Sequence, residues 1–192
     1  MPHIQARYCH ASLGTQIKFE RIGDFKYLDQ KIVASGDSLN AINSNAVQNI
    51  GSADLVVYMA HDESSLWGTI GIAWCPVICS SAGSNGWKTS INEWRPESVS
   101  FGGVKLSLFK KMILYFHKEI TLLLQLVAHE VGHNLGMKHD FDEKHGGQSS
   151  SCNQDNHIMS YGSSKEKWST CSKADFEARY LQVQSNWCME GN

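Results

Sequence analysis

The stretch His129-Glu130-Val131-Gly132-His133-Asn134-Leu135-Gly136-Met137-Lys138-His139 decides how this chain is read. On a helix, His129 and His133 stand at i and i+4, so both imidazoles leave one face and can grip one metal ion. Glu130 then lies beside them, in reach of a water on that ion. Gly136 permits a sharp turn where a Cβ would clash, and the turn brings His139 back as a third ligand. Three neutral nitrogens leave a tetrahedral zinc one open position, the mark of a catalytic rather than a structural site. The competing reading is a surface helix with incidental histidines. A glycine and a third histidine at fixed offsets weigh against it, because neither residue is common.

Downstream, His157-Ile158-Met159-Ser160-Tyr161-Gly162 offers Met159, which as a lone residue reads as a core methionine. The histidine pattern followed by such a methionine resembles the metzincin signature. Asp140, directly after the third histidine, makes the stretch similar to the adamalysin branch, which holds the snake-venom reprolysins and the ADAM-type proteases. The resemblance is strong over residues 128–188 and weaker over 53–74. There, Gly68-Thr69-Ile70-Gly71-Ile72-Ala73-Trp74 resembles the family's edge strand beside the cleft, and Trp168-Ser169-Thr170-Cys171-Ser172 resembles the approach to its last helix.

The resemblance implies a zinc-dependent endopeptidase with one catalytic Zn2+ held by His129, His133 and His139. Glu130 would be the general base, and Met159 the hydrophobic floor beneath the histidines, not a ligand. Thr69, Ile70, Gly71 and Ile72 would pair with a substrate backbone, adding a strand to the sheet. Residues 159–162 would wall the pocket for the side chain after the cleaved bond. Asp140 would make a buried hydrogen bond that braces the region around Met159, with a solvated turn residue as its alternative. Protein or peptide substrates, a monomer and a secreted or extracellular location follow from the same likeness. The rivals are a zinc-binding but non-catalytic module that binds a partner through its cleft, and a zinc-dependent small-molecule hydrolase. Intact Glu130 speaks against the first, and the ligand spacing against the second.

The chain departs from the family in three places. Its opening is too short for the strand and long helix that usually precede the strand resembled by residues 15–25. Residues 95–119 match nothing in the family and stand where it has a short link, as an insertion or as translated intron. No calcium site is matched residue by residue.

Length and composition fit one soluble domain: 192 residues, 42% hydrophobic and 19% charged. The upper lobe is expected at about residues 1–138 and the lower lobe at 139–192. A net charge of -2 and the lack of a long basic run exclude nucleic acid or an anionic membrane as the main partner. The first seven residues are too polar for a signal peptide, so the chain reads as a processed or excised portion. The most apolar run, residues 121–127, is too short to span a bilayer. Six cysteines fit three disulfides in an oxidising compartment, with buried free thiols as the alternative. By resemblance, Cys152 pairs with Cys171, Cys188 with Cys75 or Cys79, and Cys9 with the one remaining.

The expected fold class is α/β: a twisted, mostly parallel sheet with helices, then a smaller irregular lobe after His139. Alternating apolar residues predict a strand over 15–25, and helical spacing of Leu39, Ile42, Ala46 and Ile50 a helix over 38–50. Residues 54–60, 69–74 and 89–94 read as strands, and 80–87 as a loop. The zinc helix is placed at 120–135, burying Leu122, Leu123, Leu126 and Val127, with Gly136 as its left-handed cap. Residues 142–156 read as a surface loop, in which His145, like nearby His157, is solvated or hydrogen-bonded. Ser172 to Asp175 resembles a capping box opening a helix over 175–183, with Phe176, Tyr180 and Val183 facing the core.

Overall fold

A computed structural model describes residues 2–19, 32–49, 55–61, 69–77, 89–94, 108–162 and 165–183, with the backbone alone for 2, 44–49, 61, 94 and 108–119. The elements are helix α1 (Pro2–Tyr8), α2 (Gly36–Asn49), strands β1 (Val56–His61), β2 (Gly71–Ala73) and β3 (Thr89–Trp94), then α3 (Leu108–Asn134) and α4 (Thr170–Val183). The mixed α/β composition fits a metzincin-like domain.

The described sheet runs β1-β3-β2. β1 and β3 are parallel, from Val56 opposite Thr89 to His61 opposite Trp94. β2 is antiparallel to β3, with Gly71 opposite Asn92 and Ala73 opposite Ser90. The sheet is therefore mixed among the described residues, not mostly parallel. A strand running against its neighbour can be entered and left through loops, without the crossover that parallel strands need. Tyr58, Ile91 and Ile72 share one register row, and their side chains pack with Leu39 and Ile42 of α2. Alternation at period two puts Ala60 and Trp74 on that same face.

β3 is central, yet Thr89, Ser90, Asn92 and Glu93 are all buried. Buried polar groups need partners. Glu93 Oε1 accepts the Ala34 N–H, and Asn92 Nδ2 donates to Tyr58 O at 3.4 Å. The larger core joins α1, α3 and α4: Tyr8, Leu13, Val127, Val131, Leu135, Met137, Ile158, Met159, Trp168 and Phe176 pack together. Tyr8 Oη donates to Ala128 O at 2.7 Å, and Trp168 Nε1 donates to Arg7 O at 2.9 Å. A short opening helix thus docks directly on α3.

Several sequence expectations need correction. The helix carrying the histidines begins at Leu108, not 120, so the later part of residues 95–119 extends it; 95–107 lie outside the described residues. Leu122 is exposed, while Leu126 and Val127 are buried. At about 100° per residue Leu122 lies half a turn round the helix from Val131, which faces the core. Residues 15–19 form no strand: Ile17 N–H bonds back to Tyr8 O at 3.2 Å and Phe19 N–H to Gln5 Oε1 at 2.7 Å, so the segment lies along α1. Residues 20–25 and the 80–87 loop lie outside the described residues.

α4 starts at Thr170 because Ser169, not Ser172, caps it: the Ser172 N–H donates to Ser169 Oγ at 2.9 Å. Tyr180 is exposed, whereas Phe176 and Val183 are buried. Cys152 and Cys171 are bonded, with Cα atoms 6.0 Å apart. Cys9 and Cys75 are free, so neither takes the disulfide expected of it. The Cys9 thiol faces Gln5 Nε2 at 3.0 Å, and Cys75 Sγ lies 3.8 Å from Met137 O, each within its own neighbourhood. Cys79 and Cys188 lie outside the described residues.

Candidate metal centre

His129 and His133 leave one face of α3, their rings edge to face at 4.9 Å between centroids. The helix then stops at a glycine with φ 97°. Gly136 N–H bonds to His133 O and Met137 N–H to Gly132 O, the paired bonds of a Schellman cap. That reversal carries His139 back to the other two. Its Nε2 lies 3.1 Å from His133 Nε2 and 3.2 Å from His129 Nε2.

The other ring nitrogens fix the tautomers. His129 Nδ1 lies 2.7 Å from Ile158 O, and His133 Nδ1 2.8 Å from Met137 O. A carbonyl only accepts, so we assign the proton to each Nδ1, which leaves bare Nε2 lone pairs aimed at one shared space. Nitrogens bound tetrahedrally at 2.0–2.1 Å stand about 3.3 Å apart. The observed spacings match that edge closely, and the donor set suits zinc. Burial pushes the His133 pKa down to about 4, that of His129 well below its usual value, and that of His139 in the same direction. All three stay neutral near pH 7, as ligands must.

Glu130 is buried beside them, and burial raises its carboxyl to about 8 in the metal-free site. β2 reaches it only because residue 71 is glycine. A Cβ there would overlap Glu130 Oε1 and come within 2.7 Å of Leu126 Cδ1. Gly132 plays the same part between the two helix histidines: a Cβ would lie 2.8 Å from Met159 Sδ. Fully buried Met159 thus sits directly against the ligand-bearing turn. Glu93 N–H bonds to Ile70 O at 2.8 Å, and the outer edge of β2 carries no strand among the described residues. Thr69, Ile70, Gly71 and Ile72 therefore lie at a sheet edge that touches α3.

Asp140 is buried and accepts from three hydroxyls, of Ser169, Ser172 (3.2 Å) and Ser160 (3.2 Å). Its N–H bonds to Met159 O at 3.1 Å. The residue after the third histidine thereby ties the Met159 segment to the start of α4. Burial still raises its pKa, against the pull of those hydroxyls. Asp140→Ala strands three buried donors, and the expected destabilisation is about 3 kcal/mol. Urea denaturation would read it, and Asp140→Asn should recover part.

His145 and His157 are hydrogen-bonded, as expected from the sequence, while the partners they meet and the places of Phe141 and Lys165 are not legible there. His145 Nδ1 lies 2.9 Å from His139 O, and its Nε2 lies 3.1 Å from buried Asp175 Oδ2. Asp175 also takes the Lys138 N–H at 2.9 Å and Lys144 Nζ at 2.6 Å. Phe141 stacks on the His139 ring at 4.7 Å, and exposed Tyr161 stands edge-on to it at 5.0 Å. Lys165 brings an ammonium to within 3.4 Å of His129 Nδ1, and its pKa is pushed down to about 8, chiefly by burial. His157 is buried, its Nδ1 2.6 Å from Cys152 O. Neither extra histidine joins the cluster that His129, His133 and His139 form.

A reprolysin family model, described as metallo-peptidase family M12, matches residues 5–173. The chain belongs to this reprolysin-type family. Relatives of the same kind align with it. Human disintegrin and metalloproteinase domain-containing protein 9 is 31% identical over 139 residues, covering 69% of this chain and 13% of that protein. The Caenorhabditis elegans disintegrin and metalloproteinase with thrombospondin motifs adt-1 is 40% identical over 63 residues, 32% of this chain and 4% of that protein. The mouse disintegrin and metalloproteinase with thrombospondin motifs 19 is 39% identical over 69 residues, 33% of this chain and 5% of that protein. The reprolysin chain thus spans a small part of these long relatives. Its membership supports a metallopeptidase, a class that uses zinc and acts on proteins, and its three-histidine group is one that can hold a metal ion. No helix among the described residues is long and apolar enough to cross a membrane.

Proposed function

We propose that this chain is a single catalytic domain, residues 1–192, of a secreted or extracellular zinc endopeptidase that acts as a monomer. The observation that carries the reading is the convergence of three Nε2 atoms, that of His139 lying 3.1 Å and 3.2 Å from the other two, beside the buried carboxyl group of Glu130. His129, His133 and His139 would hold one zinc ion. Bound there, zinc supplies Lewis-acid polarisation and acidifies a water molecule. Glu130 would take a proton from the attacking water as its oxygen bonds to the scissile carbonyl carbon, and would hand it to the amine as the C–N bond breaks. The closeness of Gly71 to Glu130 supports a substrate laid along β2, its backbone pairing with residues 69–72. Met159 acts as the floor of the metal site, and Asp140 braces it. The two lobes meet near residue 138, where Gly136 and the Asp175 bond to Lys138 turn the chain.

The test is hydrolysis of casein and a quenched peptide by the zinc-loaded protein. Cleavage should vanish with a zinc chelator and return on adding zinc. One equivalent of bound zinc with no turnover on any peptide would point instead to a partner-binding module.

A further inference from the structure

Among the described residues Lys165 forms no ion pair, although it lies beside the metal site. Its side chain is half-buried, and among the described residues its one polar contact is His129 Nδ1, at 3.4 Å. That contact is no hydrogen bond. The Nδ1 proton points to Ile158 O, 2.7 Å away, so an ammonium and an N–H face each other as two donors. Glu130 and Asp140 are near enough to act on the charge, yet among the described residues neither forms an ion pair with it. A partly desolvated cation with no partner is costly, and an arriving carboxylate would relieve that cost. Lys165 follows the 159–162 segment, on the Nδ1 side of His129 and away from the shared space of the three Nε2 atoms.

We propose that Lys165 determines specificity, selecting substrates whose side chain immediately after the scissile bond is a carboxylate. This rests on the endopeptidase reading above, and it names the substrate class: peptides with Glu or Asp following the cleaved bond. An isosteric amide can accept a hydrogen bond from the ammonium but brings no opposite charge, so Glu is favoured over Gln. A basic side chain is repelled.

The experiment uses four peptides that differ only in that residue, Glu, Gln, Leu or Lys, with the parent, Lys165→Met and Lys165→Glu. For the parent, kcat/KM for Glu should exceed that for Gln on the order of 10-fold, the worth of one charge-assisted bond. Lys165→Met should flatten the ratio, and Lys165→Glu should shift preference to the Lys peptide. The second arm measures binding of the same labelled peptides to zinc-loaded Glu130→Ala by fluorescence anisotropy, with and without Lys165→Met. It needs no turnover, so it judges Lys165 even if the protein cleaves nothing and the endopeptidase reading fails. A Glu-to-Gln ratio near one in both arms, or one unchanged by Lys165→Met, overturns the proposal.

Discussion

His133→Ala is expected to reduce zinc from one equivalent to almost none. His133 lies at the centre of the site in two senses. Its Nε2 is 3.1 Å from that of His139, and its Nδ1 is 2.8 Å from Met137 O, inside the turn that brings His139 round. Alanine therefore removes a ligand and one anchor of the loop positioning another, so two ligands are weakened at once. Atomic absorption after gel filtration reads the result, and a full equivalent still bound would contradict the assignment. The variant also reports on pH. His133 titrates near 4 when folded and metal-free, against an ordinary 6.5, because burial disfavours its charge. The unfolded chain then binds more protons between those values. The stability tied to a neutral His133 is full above about pH 6.5 and is lost as pH falls through about 4. In chelator, acidification over this window should weaken the parent more than His133→Ala, as urea midpoints would show.

The parts of this site legible in the sequence are those fixed locally. Two histidines one helical turn apart and a glycine able to take φ 97° suffice to specify the triad, because each relation spans ten residues or fewer. Contacts between distant segments were legible only where the resemblance supplied them, as for Cys152 with Cys171 and Asp140 with the Met159 segment. Asp175 reaches His145 and Lys144 across about thirty residues, and Lys165 reaches His129 across 36. The apparent capping box at Ser172 to Asp175 misled because Asp175 is buried against the loop after His139, leaving Ser169 to cap α4. Residues 95–119 match nothing in the family and the zinc helix is expected from residue 120, yet α3 begins at Leu108. An even cysteine count suggested full pairing, yet Cys9 and Cys75 are free. In the sequence Gly71 reads only as part of the edge strand, and Gly132 only as a spacer between the histidines. Their role is the space they leave for Glu130 and Met159, and only packing reveals it.

Glu130→Ala is expected to keep the zinc and the fold and to lose cleavage by roughly 10²–10⁴-fold, the worth of general acid–base catalysis. Zinc is retained because the carboxylate is not one of the three clustered donors. The fold is retained because the site carries that group at a cost: burial holds its pKa near 8 against an ordinary 4.5. A carboxyl whose folded pKa is raised contributes stability below about 4.5 that is lost as pH rises through about 8. Removing it should therefore help the metal-free domain more at pH 8 than at pH 5. Glu130→Gln serves as control, since it keeps the bulk against Gly71 and abolishes the titration. If both variants bind one zinc, gain relative stability at high pH and fail to cleave, the lost function is proton transfer and not architecture. Parent-like turnover by either would remove Glu130 from the chemistry, because no other carboxylate joins the three-histidine group among the described residues.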